Sequence, residues 1–420
     1  MSTSSPATAA ITGVGAVAPG RTGRDAFWEL LAAGRTATRT ISSFDPAPFR
    51  SRVAAECEFD SAAVADTWLR DADRANQLAV TAATEAWHDA GIRTTPGRIG
   101  VVVGSAVGCT VALEREYVRL SERGSRWLVD LEPASGRLHD HLVPSSIVRD
   151  VAWSLGAEGP CRLVSNGCTS GLDVARHGLQ MLHGFDLDAV VVVGADAPIS
   201  PITVACFDAI KATSPNNDDP AHASRPFDRD RDGFVLGEGA AALVLEMPHR
   251  AEDRAADLYG RLLAAHSRAN AYHMTGLRTD GREMAEAIRA ALEASELDPD
   301  EIDYVNAHGS GTKQNDRHET AAVKTALGAR ARSVPMSSIK SMIGHSLGAI
   351  GTLELAACAL MLRHQFIVPT ANYQTPDSEC DLDYVPETGR AARIRALISV
   401  GSGFGGFQSA VALAHDGGRA

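Results

Sequence analysis

Leu163-Val164-Ser165-Asn166-Gly167-Cys168-Thr169-Ser170-Gly171-Leu172 joins an apolar run to a turn of small residues and then to the start of a helical pattern. A strand that feeds a helix through so tight a turn is a unit of an α/β fold whose strands are covered on both faces. Cys168 stands at the junction, where helix amide N–H groups point outward and the dipole favours negative charge. Both effects favour a thiolate, and so a nucleophile. The competing reading is a small buried core thiol, which is what most cysteines are. Gly167 and Gly171 keep the nucleophile reading open, because glycine permits a tight turn and the close approach of a ligand.

The same alternation extends in both directions. Ala9–Val14, Ile99–Val103, Arg162–Ser165 and Ala189–Val193 read as strands, and Asp73–Ala90 and Ser145–Leu155 as helices. The second half repeats the theme. Tyr259–Ala265, Ile302–Ala307, Ile394–Val400 and Phe407–Leu413 read as strands, Glu283–Leu292 as a helix, and further helices begin near Asp316 and His345. Two local likenesses suggest duplication: Gly167–Gly171 resembles Gly344–Gly348, and Gly237–Glu246 resembles Gly405–Ala414. On that reading Cys168 and His345 start equivalent helices. The charged stretch Met247–Asp257 divides the chain into residues 1–250, with Cys168, and 251–420, with His308, Lys340 and His345. Thr213–Asp232, rich in Pro, Asn and Asp, reads as a long surface loop flanking a cleft.

Composition narrows the function. The 420 residues are 45% hydrophobic and 22% charged, enough for a large core. A net charge of -12 argues against nucleic acid as a main partner. No uninterrupted apolar run is long enough to span a bilayer, and Met1–Pro6 lacks the charged and apolar regions of a signal peptide, so no membrane and a cytoplasmic setting are expected. The seven cysteines are widely spaced and suggest neither a disulfide framework nor a zinc site. Lysine is scarce: only Lys211, Lys313, Lys324 and Lys340 occur.

Further candidates flank the second-half strands. His308 lies just beyond an apolar strand in Asn306-Ala307-His308-Gly309-Ser310-Gly311-Thr312, a setting that suits a group projecting into a cleft. Ser310 and Thr312 either form the turn or hydrogen-bond an amide-bearing substrate arm. His345 sits in Lys340-Ser341-Met342-Ile343-Gly344-His345-Ser346-Leu347-Gly348. At a helix N-terminus a histidine tends to be neutral and can donate to a developing enolate oxygen. Asp316 reads as a helix-start cap, and Glu319 either as a cap or as the partner of Lys340. Gly403-Phe404-Gly405-Gly406 builds a hairpin or brings a backbone N–H to an oxyanion.

Taken together these segments resemble the thiolase-fold condensing enzymes, the β-ketoacyl-carrier-protein synthases, and among them the ketosynthase alpha subunits of type II polyketide synthases. Asp196–Thr203, Arg225-Pro226-Phe227-Asp228, Asp232–Gly239 and Gly403–Ser409 extend the likeness over nearly the whole chain. The resemblance implies a five-layered αβαβα fold of two like halves. It implies an acyl chain carried on Cys168, enolate stabilisation by His308 and His345, and an oxyanion hole from the N–H groups of Cys168 and Phe404. Lys340, paired with Glu319, would tune the site, and Ser310 and Thr312 would hold the pantetheine arm. No bound cofactor is implied: phosphopantetheine arrives on an acyl carrier protein, and a chain-length-factor subunit completes a heterodimer. His345 and Phe404 depart from the initiating synthases and the thiolases, and Cys168 separates the chain from the inactive chain-length factor. Fatty-acid elongation is the alternative activity, and an inactive scaffold the alternative class. Asn166 stands where the family leads one to expect threonine. Asn216 stands where relatives often place arginine, which would shift carrier docking to a patch such as Arg70 and Arg74.

Overall fold

The computed structural model of the protein describes residues 8–20, 22–64, 66–126 and 131–417, so the Met1–Pro6 start lies outside the described residues. Ten strands form one sheet. In chain order they are β1 (Ala9–Val17), β2 (Ile99–Gly104), β3 (Cys161–Val164), β4 (Ala189–Asp196), β5 (Gly239–Glu246), β6 (Gly260–Ala269), β7 (Ile302–Asn306), β8 (Met336–Ser337), β9 (Ala396–Gly403) and β10 (Phe407–Ala414). Their spatial order is β8-β7-β9-β10-β6-β1-β5-β4-β2-β3. The order 3-2-4-5-1 in the first five strands therefore recurs as 8-7-9-10-6 in the second five, joined where β1 pairs antiparallel with β6. Strand directions repeat too: β2 is parallel to β3 and β4, as β7 is to β8 and β9, and the remaining pairs are antiparallel.

The helices repeat in the same places. They are α1 (Arg74–Ala90), α2 (Ser145–Leu155), α3 (Ser170–Gly184), α4 (Arg282–Ser295), α5 (Lys313–Leu327) and α6 (Ile350–His364). α1 and α2 pack on the outer face of the first half-sheet and α4 on that of the second, with α5 against α4. α3 and α6 pack on each other and on strands of both halves, which gives the five layers αβαβα. Burial dictates the sequence of the inner elements. β4 and β5 are covered along their whole length and carry the valine- and alanine-rich runs of strands with no solvent face. α6 is buried at all thirteen positions from Ile350 to Leu362, so apart from Thr352 and Glu354 it is apolar all round rather than on one stripe. Leu347–His364 is apolar and long enough to cross a membrane by composition, yet it is 89% buried between the half-sheets.

Glycine sets how closely α3 and α6 cross. A Cβ on Gly171 would fall 2.6 Å from the Gly348 carbonyl oxygen and the Thr352 nitrogen, and one on Gly351 2.5 Å from the Leu172 nitrogen. The true repeat thus aligns Gly171 with Gly351 and the short 3-10 turn Gly167–Thr169 with Leu347–Ala349. This corrects the local motif match by three residues. Cys168 corresponds to Gly348, and His345 precedes its turn instead of starting a helix. The likeness of Gly237–Glu246 to Gly405–Ala414 does fall on equivalent strands, β5 and β10.

Thr213–Asp232 flanks a cleft as expected but is a surface loop only in part: Pro215, Asp218, Asp219, His222, Arg229, Asp230 and Asp232 are exposed. Ser214, Ser224, Phe227, Asp228 and Arg231 are buried. Charge pairing makes this possible: fully buried Arg231 lies 3.1 Å from Asp316 and 2.7 Å from Asp377, and Asp228 accepts the N–H groups of Gln374 and Thr375. Arg74, considered for carrier docking, is also committed. Its guanidinium is bidentate to Glu238 at 2.7 and 2.9 Å and donates to the Cys57 carbonyl.

Candidate active site

The turns that precede α3 and α6 meet at the bottom of a cavity of about 530 Å³, lined among others by Cys168, His308, Ser310, Thr312, His345 and Phe404. Cys168 stands in the 3-10 turn, below the first turn of α3. Asn166 shows why asparagine is accommodated beside it. Its Nδ2 donates to Asp173 at 2.8 Å, and Asp173 also accepts from Thr169 and Ser409, so α3 is tied to β10. The end of β9 runs directly over the turn, since a Cβ on Gly403 would lie 3.3 Å from the Cys168 nitrogen. The N–H groups of Phe404 and of Cys168 itself both bear on the sulfur.

The sulfur is nevertheless a thiol at rest. Burial pushes Cys168 up to about 11, against the opposing pull of the Lys340 ammonium and the Phe404 N–H. Ala106, Phe207, Phe234 and Leu347 belong to the apolar cluster packed about it. The expectation of a thiolate is therefore corrected: loss of hydration outweighs the helix dipole and the amide donors. Alkylation by iodoacetamide should accordingly accelerate with pH through 7 to 9.5 without levelling, as the thiolate fraction grows. A plateau below pH 8 would contradict the burial argument.

His308 and His345 face each other with ring centroids 5.4 Å apart and planes at 83°. Backbone contacts fix both. Glu319 accepts the N–H groups of His308 at 2.6 Å and Gly309 at 2.7 Å. The His345 N–H donates to Val235 at 2.7 Å, and its carbonyl accepts from Gly237 at 2.9 Å. Burial first, and then the Lys340 charge, hold both imidazoles well below their usual range, so both are neutral. The predicted neutrality of His345 stands, but its cause is burial and not a helix N-terminus. Nδ1 of each ring is buried without a hydrogen-bond partner among the described residues. A lone pair without a donor costs less there than an N–H without an acceptor, so the proton sits on Nε2 and is presented to the cavity.

Lys340 is fully buried, and its Nζ donates to the His308 carbonyl and to Glu354. The expected Lys340–Glu319 pair is thus corrected: the carboxylate on Lys340 is Glu354. Glu319 is occupied with the His308–Gly309 backbone, and burial pushes it up to about 8. Asp316 is likewise not the cap of α5. Thr312 caps that helix, its Oγ1 accepting the Asn315 N–H, while Asp316 accepts from Phe227 at 2.8 Å and pairs with Arg231. Ser310 and Thr312 hydroxyls lie 3.0 Å apart on the cavity wall. Among the described residues no group of three or more His, Cys, Asp or Glu is placed to hold a metal ion.

Residues 8–251 match the family "Beta-ketoacyl synthase, N-terminal domain" and residues 259–374 match "Beta-ketoacyl synthase, C-terminal domain". The chain belongs to the β-ketoacyl synthase family. Its relatives include the tetracenomycin polyketide synthase ketoacyl synthase alpha subunit of Streptomyces glaucescens, 62% identical over 96% of both chains. The 3-oxoacyl-[acyl-carrier-protein] synthase 2 of Coxiella burnetii is 34% identical over 96% of this chain and 97% of its own. Among solved structures, one described as a type II PKS acyl-carrier protein in complex with its ketosynthase bound to the hexaketide superposes with a TM-score of 0.91 and 32% identity, covering 98% of this chain and 100% of that one. The ishigamide ketosynthase/chain length factor gives 0.90 and 30%, with the same coverage.

In this β-ketoacyl synthase the sequence reading missed one site residue, Glu354. The signal was present: a carboxylate inside Gly351-Thr352-Leu353-Glu354-Leu355-Ala356-Ala357, a run apolar on every face. A charge on a helix without a solvent face has to find a buried partner.

Proposed function

We propose that this synthase is the ketosynthase alpha subunit of a type II polyketide synthase, extending a Cys168-bound acyl chain by decarboxylative Claisen condensation with malonyl-carrier protein. The observation that carries the reading is the convergence of Cys168, two neutral imidazoles and two amide donors on one cavity. The stronger identity to polyketide than to fatty-acid synthases favours polyketide over fatty-acid elongation. A nucleophile-bearing half, 1–250, and a histidine-bearing half, 251–420, belong to the same reading, supported by the repeated strand order.

In the first step Cys168 Sγ attacks the acyl thioester on the carrier's phosphopantetheine. The carbon–sulfur bond to pantetheine breaks, and the thiol proton ends on the departing sulfur. In the second, malonyl-carrier protein enters and the bond to its carboxylate breaks. Carbon dioxide leaves, and the electron pair is delocalised onto the thioester oxygen. Nε2–H groups of His308 and His345 donate to that oxygen. The resulting carbanion attacks the acyl carbon on Cys168, and the oxyanion formed accepts the N–H groups of Cys168 and Phe404. Collapse expels the Cys168 thiolate, which takes up one proton, and the chain leaves two carbons longer. Each donor aimed at charge present only in the transition state is worth about 2.7–4 kcal/mol. Lys340 and Glu319 act as positioning residues behind His308, and Ser310 and Thr312 hydrogen-bond the amides of the arm. A chain-length-factor subunit and an acyl carrier protein are the partners this reading assigns, in keeping with the assemblies named for the two solved relatives.

The test is radiolabelled malonyl-carrier protein supplied to the two-subunit enzyme, with product mass and carbon dioxide followed together. His308→Ala and His345→Ala should each slow carbon dioxide release by about 100-fold or more while acyl-Cys168 still forms. Loss of acylation with decarboxylation intact would reverse the assignment. Fully reduced, saturated products would move the enzyme to fatty-acid synthesis.

A further inference from the structure

We propose that Lys211 and Lys313 form a cationic rim that binds the phosphate of the entering phosphopantetheine arm, an inference that rests on the condensing reading above. The chain has only four lysines. Lys340 is buried on Glu354, and Lys324 is paired with Asp381. The remaining two both line the cavity that holds Cys168, both are exposed, and neither has an ion-pair partner among the described residues.

Their placement follows the path of an extended ligand. Ser310 is buried, Thr312 half-buried and Lys313 exposed, so these three residues climb one wall from the interior to solvent. A pantetheine arm with its thioester at Cys168 and its amides on Ser310 and Thr312 leaves its phosphate end at Lys313. Lys211 stands elsewhere on the lining, just past the helix Pro201–Ala209, with its backbone in the left-handed region at φ 53° and its N–H on the Asp208 carbonyl.

The other charges about the rim do not cancel the pair. Asp232 is the one carboxylate among the described lining residues. Asp230 is paired with Arg229, and Arg278 with Glu283. A protein of net charge -12 repels an anion at long range, so an anionic substrate needs local cations where it enters. Lysine suits the task, because a flexible point charge can follow a phosphate that arrives and leaves in every cycle.

The experiment compares acylation of Cys168 by hexanoyl-phosphopantetheine and by hexanoyl-pantetheine, which lacks the phosphate, read by intact-protein mass in the two-subunit enzyme. In the K211A/K313A double variant the ratio of kcat/KM for the first over the second should fall about tenfold, with K211R/K313R retaining it. Raising salt should erode the same ratio in the unmodified enzyme. An unchanged ratio overturns the proposal, whether both rates fall together or neither does. So does a defect confined to carrier-delivered substrate, which would assign the lysines to the carrier's protein surface. If neither thioester acylates Cys168 in the unmodified enzyme, the condensing reading itself has failed.

Discussion

Cys168→Ala is expected to lower chain extension by at least about a thousandfold, equivalent to roughly 4 kcal/mol of barrier, while leaving the fold intact. The change removes the sulfur on which the growing chain must wait and little else. Alanine fits the turn, because the backbone that supplies the Cys168 and Phe404 N–H groups does not depend on the side chain. His308 and His345 remain neutral, since burial is the first cause of that state. The variant should therefore still release carbon dioxide from malonyl-carrier protein, now uncoupled from bond formation. Extension within tenfold of the unmodified rate would show that the acyl chain is held elsewhere.

Glu354→Ala should cost about 3–5 kcal/mol of stability, read as a lower midpoint in chemical denaturation. Lys340 and Glu354 are each about 1% exposed, and among the described residues the ammonium has only the His308 carbonyl as its other partner. Burial pushes Glu354 up to about 7, so the pair is held at a desolvation cost even with both members present. Removing one member leaves a charge in an apolar helix layer. The double variant K340M/E354L should recover much of the loss, because it removes the desolvated charges together. It would still lack the donor on the His308 carbonyl, so recovered stability without recovered activity is the expected pattern. A shift below about 1 kcal/mol for Glu354→Ala would mean that water reaches Lys340.

Fold and site were legible in the sequence to different degrees. The strand–turn–helix around Cys168 and the runs at Ala189 and Ile302 were readable because local patterning and burial agree there. The three-residue slip between His345 and Gly348 was not, because a glycine–hydroxyl–glycine string is too short to fix register. Thr213–Asp232 was legible only in part for a related reason: Arg231 looks as solvated as its exposed neighbours Arg229, Asp230 and Asp232 until Asp316 and Asp377 arrive from distant segments to pair with it.

The chain by itself determined which side chains are available for chemistry and where strands give way to helices, since both follow from residue type and periodicity within short windows. Tertiary packing alone decided that Lys340 takes Glu354 and not Glu319, that Cys168 rests as a thiol, and that two exposed lysines line the cavity without an ion-pair partner among the described residues. Pairing and protonation depend on distance and on exclusion of water. Neither quantity exists until α3, α6 and the end of β9 have closed on one another.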